Sequence, residues 1–391
     1  MPGFEIIGEE EKKEILEVLS CGVLGRYGFD VERNGSYKVR DFEDEFANYC
    51  GVDYSLAVSS GTAALKIALV ALGIGKGDEV ITQGFTFVAT WEAILDVGAV
   101  PVFAEIDDTF CLDPEDLIKK ISPKTKAIIP VHMCGAQARI KEIVNIGNNN
   151  NIFVIEDTAQ ACGGRLEDGF LGTFGDVGIF SFDYVKSITT GEGGMLITNN
   201  KEVMMRASEY HDHGREYKSN THRGKAAKYF GFNYRMNELQ GALGLAQLKK
   251  LNSIIQKQQE NKNRVKSILN NIDGVSFRKI LYEEGDISSF VILICENTVI
   301  KENLISRFKN IGVHTLDYVD DVWHYFMGWD ALRDKKQMYD NFNQLNGIDQ
   351  NNYSKNSLPK STDIMKRSLT IRIHMYMDDE IDKISCEFNY S

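Results

Sequence analysis

The hydrophobic and polar positions between residues 55 and 210 follow two alternating patterns. Short runs rich in apolar and β-branched residues predict strands, and longer runs with apolar residues at helical spacing predict helices. The predicted strands are SLAVSS, GDEVITQ, AVPVFAEID, KAIIPVHM, NIFVIEDTAQ, DVGIFSF and GGMLITN. The predicted helices cover residues 61–75, 86–99, 113–121 and 139–151. Strands that alternate with helices indicate βαβ units, and therefore a mainly parallel sheet with helices on both faces.

The pattern changes near residue 236. Residues 236–272 form one continuous helical pattern rich in Gln, Lys and Asn, which predicts a long connector helix. Shorter strand and helix candidates follow it, as is typical of an α+β unit. The strand candidates are SSFVILICE and RSLTIRIHM, and the helix candidates are TVIKENLISRFKNIG and DDEIDKISCEF. We therefore predict a large α/β domain over residues 1–250, which includes an N-terminal region at 1–50, and a smaller C-terminal α+β domain over 251–391.

Composition narrows the class of protein. The chain has 44 Lys and Arg residues and 56 Asp and Glu residues. The resulting net charge of −12 disfavours nucleic acid as a partner. No apolar run approaches the ~20 residues of a membrane span, and the first residues do not resemble a signal peptide. The seven cysteines are scattered without a CxxC pair, and no set of residues has the spacing of metal ligands. We expect a reduced, cytoplasmic protein with no metal site and no membrane partner.

A polar junction links the first predicted strand to its helix. It consists of Ser59, Ser60, Gly61 and Thr62. Exposed amides at a helix N-terminus bind anions, and glycine lets a phosphate approach the backbone. Ser and Thr also cap helices that bind no ligand, and the junction lacks the Lys of a P-loop and the spacing of a G-x-G-x-x-G motif. A phosphate site and a plain helix cap both remain open interpretations.

Two charged residues follow later strands. Asp157 ends the apolar run IFVIED, at the edge of a parallel sheet where ligands bind, although a capping role is the alternative. Lys186 lies between the strand GIFSF and the glycine-rich turn TTGEGG. A lone Lys is usually a solvated charge. In a partly desolvated pocket, however, Lys loses its proton more easily and can form a Schiff base.

The three features have complementary chemistry. They supply a phosphate cradle, a carboxylate that can pair with a pyridinium nitrogen, and a Lys that can form a Schiff base. Pyridoxal phosphate (PLP) requires this combination. Phe87 offers an aromatic ring that could stack on the cofactor. Each feature alone is weak, but their order on one α/β domain predicts a PLP site.

Longer motifs extend this interpretation over nearly the whole chain: SSGTAAL, GDEVITQGFTFVAT, GAVPVFAEID, EDTAQACGG, FSFDYVKSITTGEGGMLITN and GFNYRMNELQGALGLAQL. With them the chain resembles the DegT/DnrJ/EryC1/StrS sugar aminotransferases. The resemblance implies fold type I, the architecture of aspartate aminotransferase. It also implies that Lys186 bonds PLP and moves protons, that Asp157 pairs with the pyridine nitrogen, and that Gln160 contacts the 3′ oxygen of the ring.

The same resemblance implies further contacts with the cofactor. Gly61, Thr62 and Ser181 are expected to hold its phosphate, and Phe87 is expected to stack on its ring. Asn233 occupies the Asn position of the family's G-x-N-x-R motif. In the family that residue reaches the phosphate bound by the neighbouring subunit, which implies a homodimer with shared active sites.

A narrower resemblance concerns six segments: MPGFE, RYGFDVERNGSYKVRDFE, VHMCG, VKSITTGEGG, WHYFMGW and PKSTDIMKR. They are similar to the 8-amino-3,8-dideoxy-manno-octulosonate aminotransferases. Those enzymes aminate the C8 aldehyde of an oxidised Kdo sugar with glutamate as donor, in the biosynthesis of lipopolysaccharide sugars. The long region 22–40 carries Arg26, Arg33, Lys38 and Arg40, which suit the carboxylate of a sugar acid. Plain surface charges are the alternative for each of them.

We therefore expect a transamination in two halves, in which glutamate donates the amino group and a sugar aldehyde or ketone accepts it. Arg26, His213 and His324 are candidate substrate contacts. A nucleotide-linked 3- or 4-ketosugar is the alternative acceptor. A sugar 3-dehydratase is disfavoured because those we compare replace the PLP-bonding Lys by His, whereas Lys186 is present. A ligand-binding regulator is disfavoured by the intact pair of Lys186 and Asp157.

Overall fold

The computed structural model describes residues 3–216, 227, 229–336 and 353–388. Its α-helices are α1 (Glu9–Cys21), α2 (Asp30–Arg33), α3 (Lys38–Cys50), α4 (Gly61–Ala71), α5 (Ala89–Asp96), α6 (Pro114–Lys120), α7 (Ile140–Asn150), α8 (Lys201–His211), α9 (Glu238–Leu248), α10 (Leu251–Leu269), α11 (Thr298–Asn310), α12 (Asp330–Arg333), α13 (Pro359–Lys366) and α14 (Asp378–Phe388). Its strands are β1 (Tyr54–Val58), β2 (Glu79–Gln83), β3 (Val100–Ala104), β4 (Thr125–Ile129), β5 (Phe153–Asp157), β6 (Arg165–Leu166), β7 (Gly169–Phe170), β8 (Val177–Ser181), β9 (Gly194–Thr198), β10 (Val275–Phe277), β11 (Phe290–Cys295), β12 (Thr315–Leu316) and β13 (Ser368–Arg372).

Several helices begin where the sequence provides a cap. The Ser60 hydroxyl accepts a hydrogen bond from the Ala63 N–H at 3.0 Å, which starts α4. Asp113 caps α6, and Pro114 occupies its first position. Such caps satisfy N–H groups that the helix itself cannot pair.

The large sheet has seven strands in the order β1-β9-β8-β5-β4-β2-β3. The strands from β8 to β3 run parallel, whereas β9 is antiparallel to both of its neighbours, β1 and β8. Six strands therefore share one direction, and their carboxyl ends meet at one edge of the sheet. This confirms the predicted mainly parallel sheet, with GGMLITN as its one reversed strand.

Helices cover both faces of the large sheet. Apolar side chains of α4, α5 and α8 pack on one face against β1, β2 and β8. On the other face, α6 and α7 join one cluster, while α3 and α9 join another that includes Phe42, Phe46 and Phe182. Because both faces are covered, a central strand such as β8 is buried at all five positions. Because both faces of β8 are buried, its sequence VGIFS does not alternate between apolar and polar residues.

The second sheet has four strands in the order β10-β11-β13-β12, and every pair is antiparallel. Successive side chains of β11 point to opposite faces, as in any strand. Val291 and Leu293 pack against α10, α11 and α14, whereas Phe290 and Ile292 join the core beneath the large sheet. The predicted smaller α+β unit and the fold-type-I architecture are thus confirmed.

The single long helix predicted over 236–272 is wrong. Helix α9 ends at Leu248, and α10 starts at Leu251. Helix α9 packs on α1 and α3, and α10 packs on α14 and β11, although Leu251 and Ile254 at the start of α10 still share the core of α9. Lys249 and Lys250 lie between the two helices, and no Pro or Gly marks the break. The domain boundary predicted at 250/251 falls at this break and stays a prediction.

Candidate active site

The carboxyl ends of five parallel strands of the large sheet lead into the predicted site residues. Strand β1 leads to Gly61, β2 to Phe87, β5 to Asp157 and Gln160, and β8 to Lys186. Strand β4 leads to the buried residues His132 and Cys134. Ligands of α/β proteins bind at this edge of a sheet because the strand ends and helix N-termini converge there.

The predicted phosphate cradle is formed by the start of α4 and the end of β8. Gly61 is buried, and a Cβ placed on it would lie 2.8 Å from the Cβ of Ser181. The N–H groups of Gly61 and Thr62 precede the first intrahelical hydrogen bond, which Ala64 donates to Ser60 at 3.0 Å. These N–H groups carry the positive end of the helix dipole. A glycine that admits no side chain, a hydroxyl and a helix N-terminus suit a phosphate group.

Asp157 is a buried carboxylate with few partners. One oxygen accepts a hydrogen bond from the Thr90 hydroxyl at 3.0 Å, and the other accepts from the Ala159 N–H at 3.1 Å. Burial raises the pKa of Asp157 above its ordinary value, although these two hydrogen bonds and the nearby Lys186 oppose the shift. A protonated pyridine nitrogen would supply the positive charge that this desolvated carboxylate lacks.

Lys186 lies on the loop after β8 and is half-buried. Its N–H donates to the Asp183 carbonyl at 3.0 Å, which closes a turn. Burial lowers the pKa of the Lys186 ammonium, while the negative charges of Asp157 and Asp183 oppose that change. A Lys whose pKa is lowered holds a larger fraction of the neutral amine, which is the form that attacks a carbonyl.

Gln160 is held in a fixed orientation. Its side-chain oxygen accepts a hydrogen bond from the Cys134 N–H at 3.0 Å. The amide NH₂ group is thereby left as the donor available to an oxygen atom of a ligand. Cys134 itself adopts a left-handed conformation (φ 53°), and Arg278 holds its carbonyl at 2.6 Å.

Phe87 lies beside Trp323 and His324, the first two residues of the segment WHYFMGW. The N–H of Val88 donates to the Trp323 carbonyl at 2.8 Å, and the N–H of Thr86 donates to the His324 carbonyl at 2.9 Å. The rings of Phe87 and Trp323 are stacked, with 6.2 Å between centroids and 17° between planes. His324 lies 5.3 Å from Phe87, ring centroid to ring centroid. The structure therefore brings His324 to the predicted cofactor-stacking residue.

Asn233 and His213 lie on two neighbouring segments. Asn233 is exposed and forms a β-bridge with Asp212, and the His213 N–H donates to the Phe232 carbonyl at 3.1 Å. The next residue, Tyr234, accepts a hydrogen bond from the Ser59 N–H at 2.8 Å. The Asn233 segment therefore runs beside the chain that leads into the phosphate cradle. The roles of Asn233 and His213 toward a partner subunit or a substrate stay predictions.

The cations of region 22–40 are mostly paired with carboxylates. The buried Arg26 guanidinium donates to Glu43 at 2.5 Å, to the Tyr27 hydroxyl at 2.8 Å and to the Ala57 carbonyl at 3.3 Å. Arg33 pairs with Glu238 at 3.0 Å, and Lys38 pairs with Glu14 at 2.6 Å. Arg40 is exposed. The proposed contact of Arg26 with substrate stays a prediction, and its present partners give it a structural role.

His132 and Glu156, to which no role was assigned from the sequence, form a buried pair next to the candidate site. The Ala138 N–H donates to His132 Nδ1 at 3.1 Å, so His132 carries its proton on Nε2 and donates it to Glu156 at 3.0 Å. Glu156 also accepts from the Gly172 N–H at 2.9 Å. Thr90, which binds Asp157, was missed altogether. Its hydroxyl lies 2.7 Å from that of Thr86, which precedes the helix α5, and the four-residue spacing of the two Thr residues is the local signal that could have indicated it.

The residues present fit PLP. A helix N-terminus that suits a phosphate, a desolvated carboxylate and an amine of lowered pKa lie along one edge of the sheet, and PLP requires this combination. None of the helices in the described part of the chain has the length and apolar character needed to cross a membrane. Within the same described ranges, no group of three or more His, Cys, Asp or Glu side chains is placed to hold a metal ion. The fold and the site define a PLP-dependent enzyme of fold type I.

Comparison with known proteins identifies the family. Residues 5–387 match the DegT/DnrJ/EryC1/StrS aminotransferase family, and the chain belongs to it. The chain is 32% identical over 394 residues to the spore coat polysaccharide biosynthesis protein SpsC of Bacillus subtilis (strain 168), which covers 97% of this chain and 93% of SpsC. It is 40% identical over 243 residues to the GDP-perosamine synthase of Escherichia coli O157:H7, which covers 62% of this chain and 65% of the synthase.

A solved structure supports the same assignment. The structure of NtdA from Bacillus subtilis, which contains the cofactor PMP, matches with a TM-score of 0.81 at 26% identity and covers 100% of this chain and 83% of NtdA. Family membership and this neighbour confirm that the chain is a PLP-dependent aminotransferase.

Proposed function

We propose that this enzyme moves the amino group of glutamate to the carbonyl carbon of a sugar, with Lys186 as the residue that bonds PLP. The observation that carries the proposal is the position of Lys186, half-buried beside Asp157 and downstream of the Gly61–Ser181 cradle. PLP, when bound, supplies the electron sink for breaking the C–H bond of the amino acid. The protein's own residues bind, orient and exchange protons around it.

Each residue has a distinct task. Gly61, Thr62 and Ser181 bind the phosphate group, and the Gln160 NH₂ donates to the oxygen on the ring. The Asp157 carboxylate keeps the proton on the ring nitrogen. With PLP and the amino acid bound, Lys186 Nζ would take the proton from the α-carbon of the amino acid and would pass it to the cofactor carbon, so that the proton leaving one carbon reaches the other.

The role of Lys186 is tested by chemical labelling. Borohydride reduction of the PLP-loaded enzyme, followed by peptide mapping, should place the pyridoxyl mass on Lys186. Label on another Lys would disprove the assignment. Addition of glutamate should bleach the visible absorption band with release of one equivalent of 2-oxoglutarate. A regulator would bind PLP without this release, so the same titration separates the two functions.

For the acceptor we propose a sugar acid aldehyde of the Kdo type. The segments WHYFMGW and PKSTDIMKR, which resemble the octulosonate aminotransferases, touch one another, since the hydroxyls of Tyr325 and Thr362 lie 3.1 Å apart. They place Trp323 and His324 against Phe87 and so form one wall beside the predicted ring position. Three of the four cations in region 22–40 do not support this choice, because Arg26, Arg33 and Lys38 are paired with carboxylates.

The second candidate acceptor is a nucleotide-linked ketosugar. It is favoured by the 40% identity to a GDP-perosamine synthase over 243 residues. The glutamate-loaded enzyme should be assayed with 8-oxo-Kdo and with a panel of nucleotide 3- and 4-ketosugars. Amination of 8-oxo-Kdo alone supports the proposal. Amination of a nucleotide sugar without the octulosonate would replace it with the second candidate.

We also propose that the enzyme is a homodimer in which Asn233 completes the partner's active site. The support is its exposed position beside the segment that leads to the phosphate cradle. Lys186→Ala and Asn233→Ala variants should each be inactive as separate dimers. After the two are mixed and allowed to exchange subunits, hybrids with one intact site should restore about a quarter of wild-type activity. No recovery in proven hybrids would show that the sites are not shared.

A further inference from the structure

We propose that the first residues of the chain position Lys186. Residues 3–11, here called the N-terminal strap, lie far from Lys186 in sequence. They nevertheless support the loop that carries it, directly through Gly3 and indirectly through Glu11. The inference rests on the proposed role of Lys186 as the PLP-bonding residue.

The direct contact is made by Gly3. Its N–H donates to the Lys186 carbonyl at 2.9 Å, and Gly3 is buried. A Cβ placed on Gly3 would lie 2.9 Å from both the Lys186 carbonyl oxygen and the Thr189 nitrogen. These are main-chain atoms, which cannot swing aside as a flexible side chain can. A side chain at position 3 would therefore displace the loop itself.

The indirect contact is a chain of hydrogen bonds through the interior. The Thr189 N–H donates to Gln247 Oε1 at 3.2 Å, and Gln247 Nε2 donates to Glu11 Oε1 at 3.0 Å. The other Glu11 oxygen accepts from the Gly8 N–H at 2.7 Å and from the Lys250 ammonium at 2.8 Å. Gln247 and Glu11 are both fully buried. Because each group in this chain depends on the next for its hydrogen-bond partner, a change at Glu11 is expected to alter the position of Gln247 and of the Thr189 N–H in the loop.

The strap is also anchored away from the loop. Glu5 accepts a hydrogen bond from the Met375 N–H at 3.2 Å, just beyond the second sheet. The Lys250 ammonium, at the junction of α9 and α10, donates to the Ile6 carbonyl at 3.0 Å. The strap is therefore hydrogen-bonded both to the segment that follows the second sheet and to the junction of α9 and α10, and it is hydrogen-bonded in turn to the Lys186 loop. These contacts hold the backbone at Lys186 in place.

This support matters because the chemistry of Lys186 is sensitive to position. Its ammonium is balanced between burial and the opposing charges of Asp157 and Asp183. A small displacement of the loop changes the distances to both carboxylates and to any bound cofactor. Misplaced reacting groups lose rate steeply, so a variant that folds normally can still react slowly.

The first test compares two alanine variants within the strap. Gly3→Ala puts a Cβ against the loop, whereas a Cβ on Gly8 would meet its nearest atoms, Glu10 Oε2, the Ile6 carbonyl oxygen and Lys250 Nζ, at 3.5–3.9 Å, which are ordinary contacts. The readouts are the rate at which Lys186 of the apoenzyme condenses with PLP, with loss of one water, and the pH midpoint of the resulting visible band. We expect Gly3→Ala to slow the condensation about tenfold and move the midpoint, and Gly8→Ala to stay within about twofold of wild type.

A second pair of variants covers the case in which Gly3→Ala fails to fold. Glu11→Gln keeps the side-chain shape but places an NH₂ group against donors, because both Glu11 oxygens accept hydrogen bonds. Glu14→Gln on the same helix is the control, since the Glu14 carboxylate pairs with Lys38 at 2.6 Å and with Lys249 at 3.5 Å rather than with Gln247. We expect slower condensation and a moved midpoint for Glu11→Gln only.

Peptide mapping of the reduced proteins separates the two proposals. Label on a residue other than Lys186 overturns the proposed function together with this inference. Label on Lys186, with each variant matching its control in condensation rate and pH midpoint, overturns only the role of the strap.

Discussion

Arg26 offers a sharp test, because substrate binding and structural pairing predict different effects of replacing it. The side chains of Arg26 and Glu43 are 8% and 12% exposed, and Glu43 also accepts from the Ala57 N–H at 2.6 Å. Arg26→Gln leaves the Glu43 carboxylate buried without its cation. Breaking a buried ion pair by removing one partner costs about 3–5 kcal/mol. We expect about 3 kcal/mol, because Gln can retain one of the hydrogen bonds.

The assay is urea unfolding of the apoenzyme, combined with the KM for the sugar acceptor. Arg26→Gln should lower the unfolding free energy and leave the acceptor KM nearly unchanged. Adding Glu43→Gln should recover part of the loss, since the double variant buries no unpaired charge. Arg40→Gln is the matched control, because Arg40 is exposed and contacts the Tyr37 ring at 4.3 Å. A rise in acceptor KM with no change in stability would refute the structural interpretation and restore Arg26 as a substrate contact.

Three other substitutions probe the cofactor and acceptor sites. Asp157→Asn should lower turnover about a hundredfold or more but weaken PLP binding far less. The reason is that the amide still forms hydrogen bonds but carries no charge to stabilise the protonated ring nitrogen. Steady-state kinetics and PLP titration measure the two effects. Loss of that carboxylate should also move the pH profile of PLP condensation at Lys186 to lower pH, because Asp157 opposes the lowering of its pKa. Gly61→Ala, whose Cβ would lie 2.8 Å from Ser181 Cβ, should weaken PLP binding about tenfold in the same titration. Trp323→Ala should raise the acceptor KM about tenfold and leave the glutamate half-reaction within about twofold in stopped flow. Near-normal turnover of Asp157→Asn would contradict its role at the ring nitrogen, and unchanged PLP affinity of Gly61→Ala would contradict its role at the phosphate. Equal effects of Trp323→Ala on both half-reactions would contradict a specific role in acceptor binding.

Most elements of the fold were predictable because local periodicity reflects which faces are buried. The run DVGIFSF predicted a strand that the structure places at Val177–Ser181, and DDEIDKISCEF predicted the helix Asp378–Phe388. The failure at 236–272 has a tertiary cause. Helical periodicity continues through Lys250, and Leu251 and Ile254 still share the core of α9, but α10 also packs on α14 and β11, and no local residue records those added partners.

The sequence by itself predicted the candidate site. Asp157 ends a strand, and Gly61 and Lys186 each follow one, and a parallel sheet brings its strand ends to one edge, so their positions at that edge follow from the order of elements. Only the tertiary structure decided which charged side chains are paired within the protein and which are available to bind a substrate. Arg26 binds Glu43 and Arg33 binds Glu238, and no periodic pattern shows that these side chains meet. The support of the Lys186 loop by Gly3 belongs to the same class, because contacts between distant segments depend on how whole elements pack.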